Sequence, residues 1–245
     1  MKLKTILVLP DVHAPHHDRA AWRLFLRIVD LVQPDIFVNI GDFLDSHAMS
    51  RHVKDPGREA LFKRELRLPK RMLADLNGRL PVGCRKIWTL GNHDIWLERR
   101  VAEKLPEAHG MLTIEKELGL DDWEVVPYGE HIQVGKMYFS HEFGHAGKNC
   151  GRETLLAVGD NACFGHSHRA SVTYGGTALG TPHVSLNVGW LGAKKSAKYM
   201  HAAKKNRDWQ HGAGLIYVQP SGVVHAHFIP FIKGRAVVPT KPVVL

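Results

Sequence analysis

Three short apolar runs each end in an acidic or histidine-containing motif, and a helical pattern follows each motif. Thr5 to Leu9 leads into Asp11-Val12-His13, Ile36 to Ile40 into Gly41-Asp42, and Ile87 to Leu90 into Gly91-Asn92-His93-Asp94. Helical periodicity follows over about 20–31, with Trp22, Phe25, Leu26, Val29 and Val32 on one stripe, then over about 58–76 and about 95–105. Buried-type strands alternating with helices are the crossovers of an α/β sheet with parallel pairing. Such sheets place ligands at the C-terminal ends of their strands, so this order predicts that the three motifs meet at one edge.

The second half is patterned differently. Short strands are predicted at 125–126, 131–134, 137–140, 162–165, 171–174, 184–188, 215–219 and 223–229, with Leu155 to Val158 in one short helix between them. The expected fold class is therefore α/β, becoming α+β in the second half: two β-sheets packed as a sandwich with helices outside. One domain is expected over 1–245, with a basic insertion at about 190–212.

A chain of 245 residues with 44% hydrophobic composition can bury a full core without disulfides or a structural metal. Cys84, Cys150 and Cys163 show no CxxC spacing, which argues against a thiolate zinc site and a disulfide framework and suits a reducing cytosol. No apolar run approaches the ~20 residues of a membrane span, and the opening segment runs straight into the first motif. A soluble, cytoplasmic protein with no membrane partner is expected. The formal charge of +9 favours a phosphorylated or polyanionic partner, with nucleic acid among the candidates.

Two further motifs, His141 and Gly165-His166-Ser167-His168, complete a set of hard and borderline ligands large enough for two divalent ions. A two-metal hydrolase needs one ligand that bridges ions ~3.5–4 Å apart, and Asp42 is the natural bridge. Asp11 and His13, two apart after a strand, would share a face of an extended segment, and His166 and His168 would repeat that geometry. A lone His-x-His is weak evidence, since solvated or core histidines are commoner than ligands. The whole set at strand ends is different, because so many buried ionisable groups would be costly without a metal. Mixed N and O ligands without thiolate suit Mn²⁺, Fe and Zn²⁺ alike; manganese is the expectation for an intracellular protein.

These motifs in this order resemble the calcineurin-like metallophosphoesterase family, which includes Ser/Thr phosphatases, purple acid phosphatases, cyclic-nucleotide phosphodiesterases, dinucleoside tetraphosphatases and Mre-type DNA exonucleases. The matching residues run from Asp11 to His168. The resemblance implies that one metal takes Asp11, His13, Asp42 and His168, and the other Asp42, Asn92, His141 and His166. It implies attack by a metal-bridging hydroxide on a phosphate mono- or diester, with His93 protonating the leaving oxygen and Asp94 orienting the imidazole.

Rival metal folds fit less well. His93-Asp94 as the pair of an HD-type phosphohydrolase would sit on a helix, whereas a strand-like run leads directly into Gly91. A metallo-β-lactamase-type nuclease would follow His166-x-His168 with x-Asp-His, and this chain has Arg169-Ala170. The chain also departs from the family. Glu142-Phe143-Gly144-His145 stands where many members have Gly directly after the histidine, and Ser46-His47 follows Asp45 where phosphoprotein phosphatases carry other residues.

Asp45, Arg51 and Arg169 lie close enough in sequence to the ligands to orient one or touch substrate. Lys204, Lys205 and Arg207, in a stretch with Trp190, Tyr199 and Trp209, suit a phosphodiester chain whose bases stack. The bland reading of that stretch is a surface insertion whose aromatic groups pack down on the sheet, with Trp209 as an anchor. Three functions follow: a small-substrate phosphoesterase, a nuclease of the same fold using the basic insertion, or a catalytically silent binding protein.

Overall fold

The computed structural model describes residues 3–51, 61–176, 180, 182–194, 208–240 and 242. Strands β1 (Lys4–Leu9), β2 (Ile36–Asn39), β3 (Arg85–Thr89) and β4 (Glu124–Val126) pair in parallel, in that order. Two late strands, β10 (Gly212–Val218) and β11 (Val224–Pro230), extend the sheet antiparallel from the other edge of β1. The second sheet has the order β5-β6-β7-β9-β8, built from Ile132–Val134, Met137–Phe139, Asn161–Phe164, His183–Val188 and Ala170–Gly175 respectively.

Side-chain alternation along β1 explains the layers. Leu7 and Leu9 face a core shared with α1 (Arg19–Val32) and α3 (Arg67–Arg79), while Ile6 and Val8 face a second core shared with Met137, Phe139, Cys163, Leu186 and Val188 of the other sheet. Apolar burial on both faces is what the continuous apolar run of β1 reports. On the far side of the second sheet lies α6 (Cys150–Val158), where a Cβ on Gly151 would meet Ser171 Oγ at 2.4 Å. The layers run helix, sheet, sheet, helix, matching the expected α/β two-sheet architecture.

Helix α1 starts where the pattern placed it, because the Asp18 carboxylate accepts the backbone N–H groups of Ala20 and Ala21 at 2.8 and 2.9 Å. The helix expected over 58–76 is two pieces, α2 (Phe62–Glu65) and α3, divided at Leu66, and its expected start lies outside the described residues. Helix α4 (Trp96–Lys104) follows the third motif as expected. One short helix, α5 (Ile114–Leu118), was not expected; Thr113 caps it. Strand β10 starts at Gly212, earlier than expected, because Gly212 and Gly214 mark close packing, not a turn. A Cβ on Gly214 would lie 2.8 Å from Val188 of the facing sheet. Among the described residues, no helix is long and apolar enough to cross a membrane.

Candidate metal centre

Each motif follows the C-terminal end of a strand: Asp11 and His13 follow β1, Asp42 follows β2, Asn92 and His93 follow β3, His141 follows β6, and His166 and His168 follow β7. The crossover topology thus gathers them at one edge. The glycines of the motifs make room. A Cβ on Gly91 would lie 2.2 Å from Asp42 Oδ1, and one on Gly165 would lie 2.2 Å from Asp11 Oδ1. Gly41 has φ of +101°, and a Cβ there would strike Gly91 N, His141 Nδ1 and Thr89 O, each at 2.7 Å.

The expectation that Asp11–His13 and His166–His168 converge as alternate residues of extended segments is corrected. His13, Asp42, His166 and His168 adopt φ of 53°, 49°, 61° and 60°, in the left-handed region that is uncommon for residues other than glycine, with Asn, Asp and His its most frequent side chains. Tight left-handed turns, not strand alternation, aim these imidazoles inward. Such strain persists only where the surroundings over-determine it, and it clusters at functional sites.

Among the described residues, four clusters have a spacing that could hold a metal, and two of them consist entirely of expected ligands. In the first, Asp11, His13 and His168 present atoms within 4.8 Å of one another. The Nε2 atoms of His13 and His168 are 2.9 Å apart, and His168 Nε2 is 3.3 Å from Asp11 Oδ2. In the second, Asp42, His141 and His166 meet the same criterion, and Asn92 Oδ1 lies 3.1 Å from His141 Nε2 and 2.9 Å from His166 Nδ1. Asp42 Oδ2 stands between the groups, 3.4 Å from His141 Nε2 and 3.9 Å from His13 Nε2. His141 Nδ1 donates to the carbonyl of Ile40 at 2.9 Å, which leaves Nε2 to face the site.

These residues fit divalent metal. Both oxygens of Asp11 are buried without a hydrogen-bond partner, with His168 Nε2 3.3 Å from Oδ2, and burying an ionised carboxylate in this way is costly unless a cation pairs with it. Burial opposes charge on Asp42 and His141, but their mutual attraction wins: the Asp42 carboxyl is held well below the usual range and His141 rises to about 10, so a metal bound there would have to displace the Nε2 proton of His141. Burial outweighs Asp11 at His168 and lowers it to about 4, so that imidazole is neutral, as a ligand must be.

His93 sits beside the first group, with its ring 4.6 Å from that of His13 and stacked on Trp96 at 3.9 Å. The expectation that Asp94 orients it is corrected. His93 Nδ1 lies 2.7 Å from the backbone carbonyl of Asp45, and burial pushes the imidazole below its ordinary pKa despite the charge of Asp42. The fully buried Asp94 carboxylate instead accepts from the backbone N–H groups of Asp42, Gly91 and Leu44 and from Trp88 Nε1. It ties two motif loops together, and burial with the nearby Asp42 charge raises it to about 7.

Three of the expected substrate contacts lie among the described residues. Asp45 sits beside His13 and His16, with Oδ1 3.4 Å from His13 Nδ1 and Oδ2 3.8 Å from His16 Nε2. Arg51 pairs with Glu103 at 3.0 Å on an exposed surface. Arg169 donates to Asp208 at 2.7 Å and to the carbonyls of Ala146 and Ser167, so it braces the loop after the second histidine pair. Lys204, Lys205 and Arg207 lie outside the described residues. Trp190 and Trp209 are buried against each other and against His168, which makes them supports of a ligand and not platforms for bases.

Sequence reasoning missed Trp96, His16 and Tyr128. Tyr128 had a positional signal: it follows β4, the fourth parallel strand, as the other motifs follow theirs. Its hydroxyl donates to Glu142, whose other oxygen is 3.5 Å from His166 Nε2.

Comparison with known proteins gives the chain a family and relatives of the same fold. The chain is 28% identical over 253 residues to the gene 54 protein of Mycobacterium phage D29, with 95% of each chain covered. It is 26% identical over 257 residues to the gene 54 protein of Mycobacterium phage L5, again with 95% of each covered. Vacuolar protein sorting 29 from Cryptosporidium parvum shares the fold, with a TM-score of 0.52 at 14% identity over 96% of this chain and 95% of that one. The family profile for calcineurin-like phosphoesterases matches residues 4–227, and the chain therefore belongs to that family.

Proposed function

We propose that the chain hydrolyses phosphate mono- or diesters at a dinuclear metal centre. The observation that carries this reading is that one carboxylate, Asp42, stands between two ligand groups while the Asp11 carboxylate beside it is buried without a hydrogen-bond partner. Asp11, His13, Asp42 and His168 would hold one ion, and Asp42, Asn92, His141 and His166 the other. Manganese is expected, with Fe or Zn²⁺ also fitting the donor set. When bound, such a pair supplies Lewis acidity toward phosphoryl oxygens and activates water.

The protein's own groups do the rest. His93 is anchored through Nδ1 on the Asp45 carbonyl, so Nε2 is the atom that exchanges a proton with the leaving oxygen. By lowering its pKa, burial makes the protonated ring a stronger acid toward that oxygen. Trp96 fixes the plane of the ring by stacking. The nuclease alternative rests on the charge of Lys204, Lys205 and Arg207 and on Tyr199, all outside the described residues, and loses Trp190 and Trp209 as stacking groups because both are buried.

The test is hydrolysis of bis-p-nitrophenyl phosphate beside p-nitrophenyl phosphate, after stripping metal and restoring Mn²⁺. Metal-dependent turnover that His93→Ala abolishes supports the reading. Wild-type inertness toward both esters at full metal occupancy argues for the binding-protein alternative.

A further inference from the structure

Glu142 directly follows His141. Its side chain joins three motif loops. Oε1 accepts the hydroxyl of Tyr128, and Oε2 lies at ion-pair distance, 3.5 Å, from His166 Nε2, with both side chains of that pair partly buried. Behind them, the Arg99 guanidinium of α4 sits 5.3 Å over the ring of Tyr128. The other nitrogen of His166, Nδ1, is 2.9 Å from Asn92 Oδ1 in the second ligand group.

An imidazole can offer only one lone pair when neutral, and the partner of the other nitrogen decides which. We propose that Glu142 is a positioning residue for the second ligand group: it accepts the Nε2 proton of His166 and so leaves the lone pair of Nδ1 facing the Asn92 side of the site. Tyr128 holds the carboxylate in place by donating to Oε1, which leaves Oε2 for the imidazole. Arg99, from the helix that follows the His93 motif, braces Tyr128. The proposal rests on the dinuclear reading above.

The experiment is calorimetric titration of Zn²⁺ into the full chain after metal stripping, with far-UV circular dichroism of each stripped variant as the check on folding. Wild type is expected to bind two ions. E142A should bind one of them as wild type does and the other about 10-fold more weakly, the scale of losing a ligand's carboxylate partner. E142Q should recover most of that loss, because its amide oxygen also accepts from Nε2–H. In the Zn²⁺-loaded protein, two-bond ¹H–¹⁵N spectra should show His166 protonated at Nε2 in wild type and in E142Q. Unchanged affinities in E142A, equal losses in E142A and E142Q, or His166 protonated at Nδ1 would each overturn the assignment. A wild-type chain that binds no second ion would instead sink the dinuclear reading beneath it.

Discussion

Asp94 Oδ2 accepts the backbone N–H of Asp42 at 2.9 Å, so the motif that supplies His93 also holds in place the carboxylate that stands between the two ligand groups. The same oxygen accepts from Gly91 N and Trp88 Nε1, at 3.0 and 3.3 Å. Asp42 in return accepts the backbone N–H of His93 on Oδ1 at 2.8 Å. Two loops from neighbouring parallel strands are thereby locked to each other by reciprocal carboxylate-to-backbone bonds.

Asp94→Asn tests that lock. The amide can keep one set of acceptor bonds but points an N–H₂ group at a donor on its other side, so a loss of about 1–3 kcal/mol is expected. Urea unfolding measures it. A variant as stable as wild type would show that the carboxylate is not the tie between the loops.

His93→Ala and Asp42→Asn should fail differently. The first is expected to keep metal and lose turnover by about 10²-fold or more, the scale of general acid–base catalysis. The second should disrupt both ions, since one carboxylate serves both groups. Metal content by elemental analysis decides: His93 also lies within ligand distance of His13 and Asp45, and metal loss in His93→Ala would make it a ligand.

Gly91→Ala should damage the site without replacing a ligand residue. Its Cβ would lie 2.2 Å from Asp42 Oδ1 and 2.4 Å from Asp42 N, so backbone or carboxylate must shift. A loss of about 1–3 kcal/mol with weakened metal uptake is expected. Wild-type metal affinity in the variant would mean that the loop can rearrange around the methyl group.

His17 predicts a pH dependence separate from the ligands. Its ring is buried against Trp22, and burial, reinforced by Arg19, lowers its pKa to about 4. The fold therefore favours the neutral form, while the unfolded chain takes up a proton near the ordinary value of ~6.5. The contribution to stability is full above ~6.5 and falls as pH drops from there toward 4, by about 2 kcal/mol at pH 5. Unfolding free energies of wild type and His17→Gln, compared at pH 7.5 and 5, isolate it; a pH-independent difference would refute it.

By itself, the sequence determined the elements and the edge at which the chemistry gathers. Apolar β-branched runs ending at Asp11, Asp42 and Asn92 specify parallel strands whose C-terminal ends meet, because element type follows from local patterning and crossover handedness follows from strand twist. The ligand types were legible for the same reason: each is a residue identity at a strand end. Only the tertiary structure decided how they are aimed. The left-handed turns at His13, His166 and His168, the Asp45 carbonyl that holds His93, the four donors that claim Asp94 and the Tyr128–Glu142–His166 chain all join residues from different loops, often through backbone atoms. A backbone carbonyl or N–H is the same in every residue and leaves no mark on the sequence, so its partner is chosen only when the strands bring the loops together.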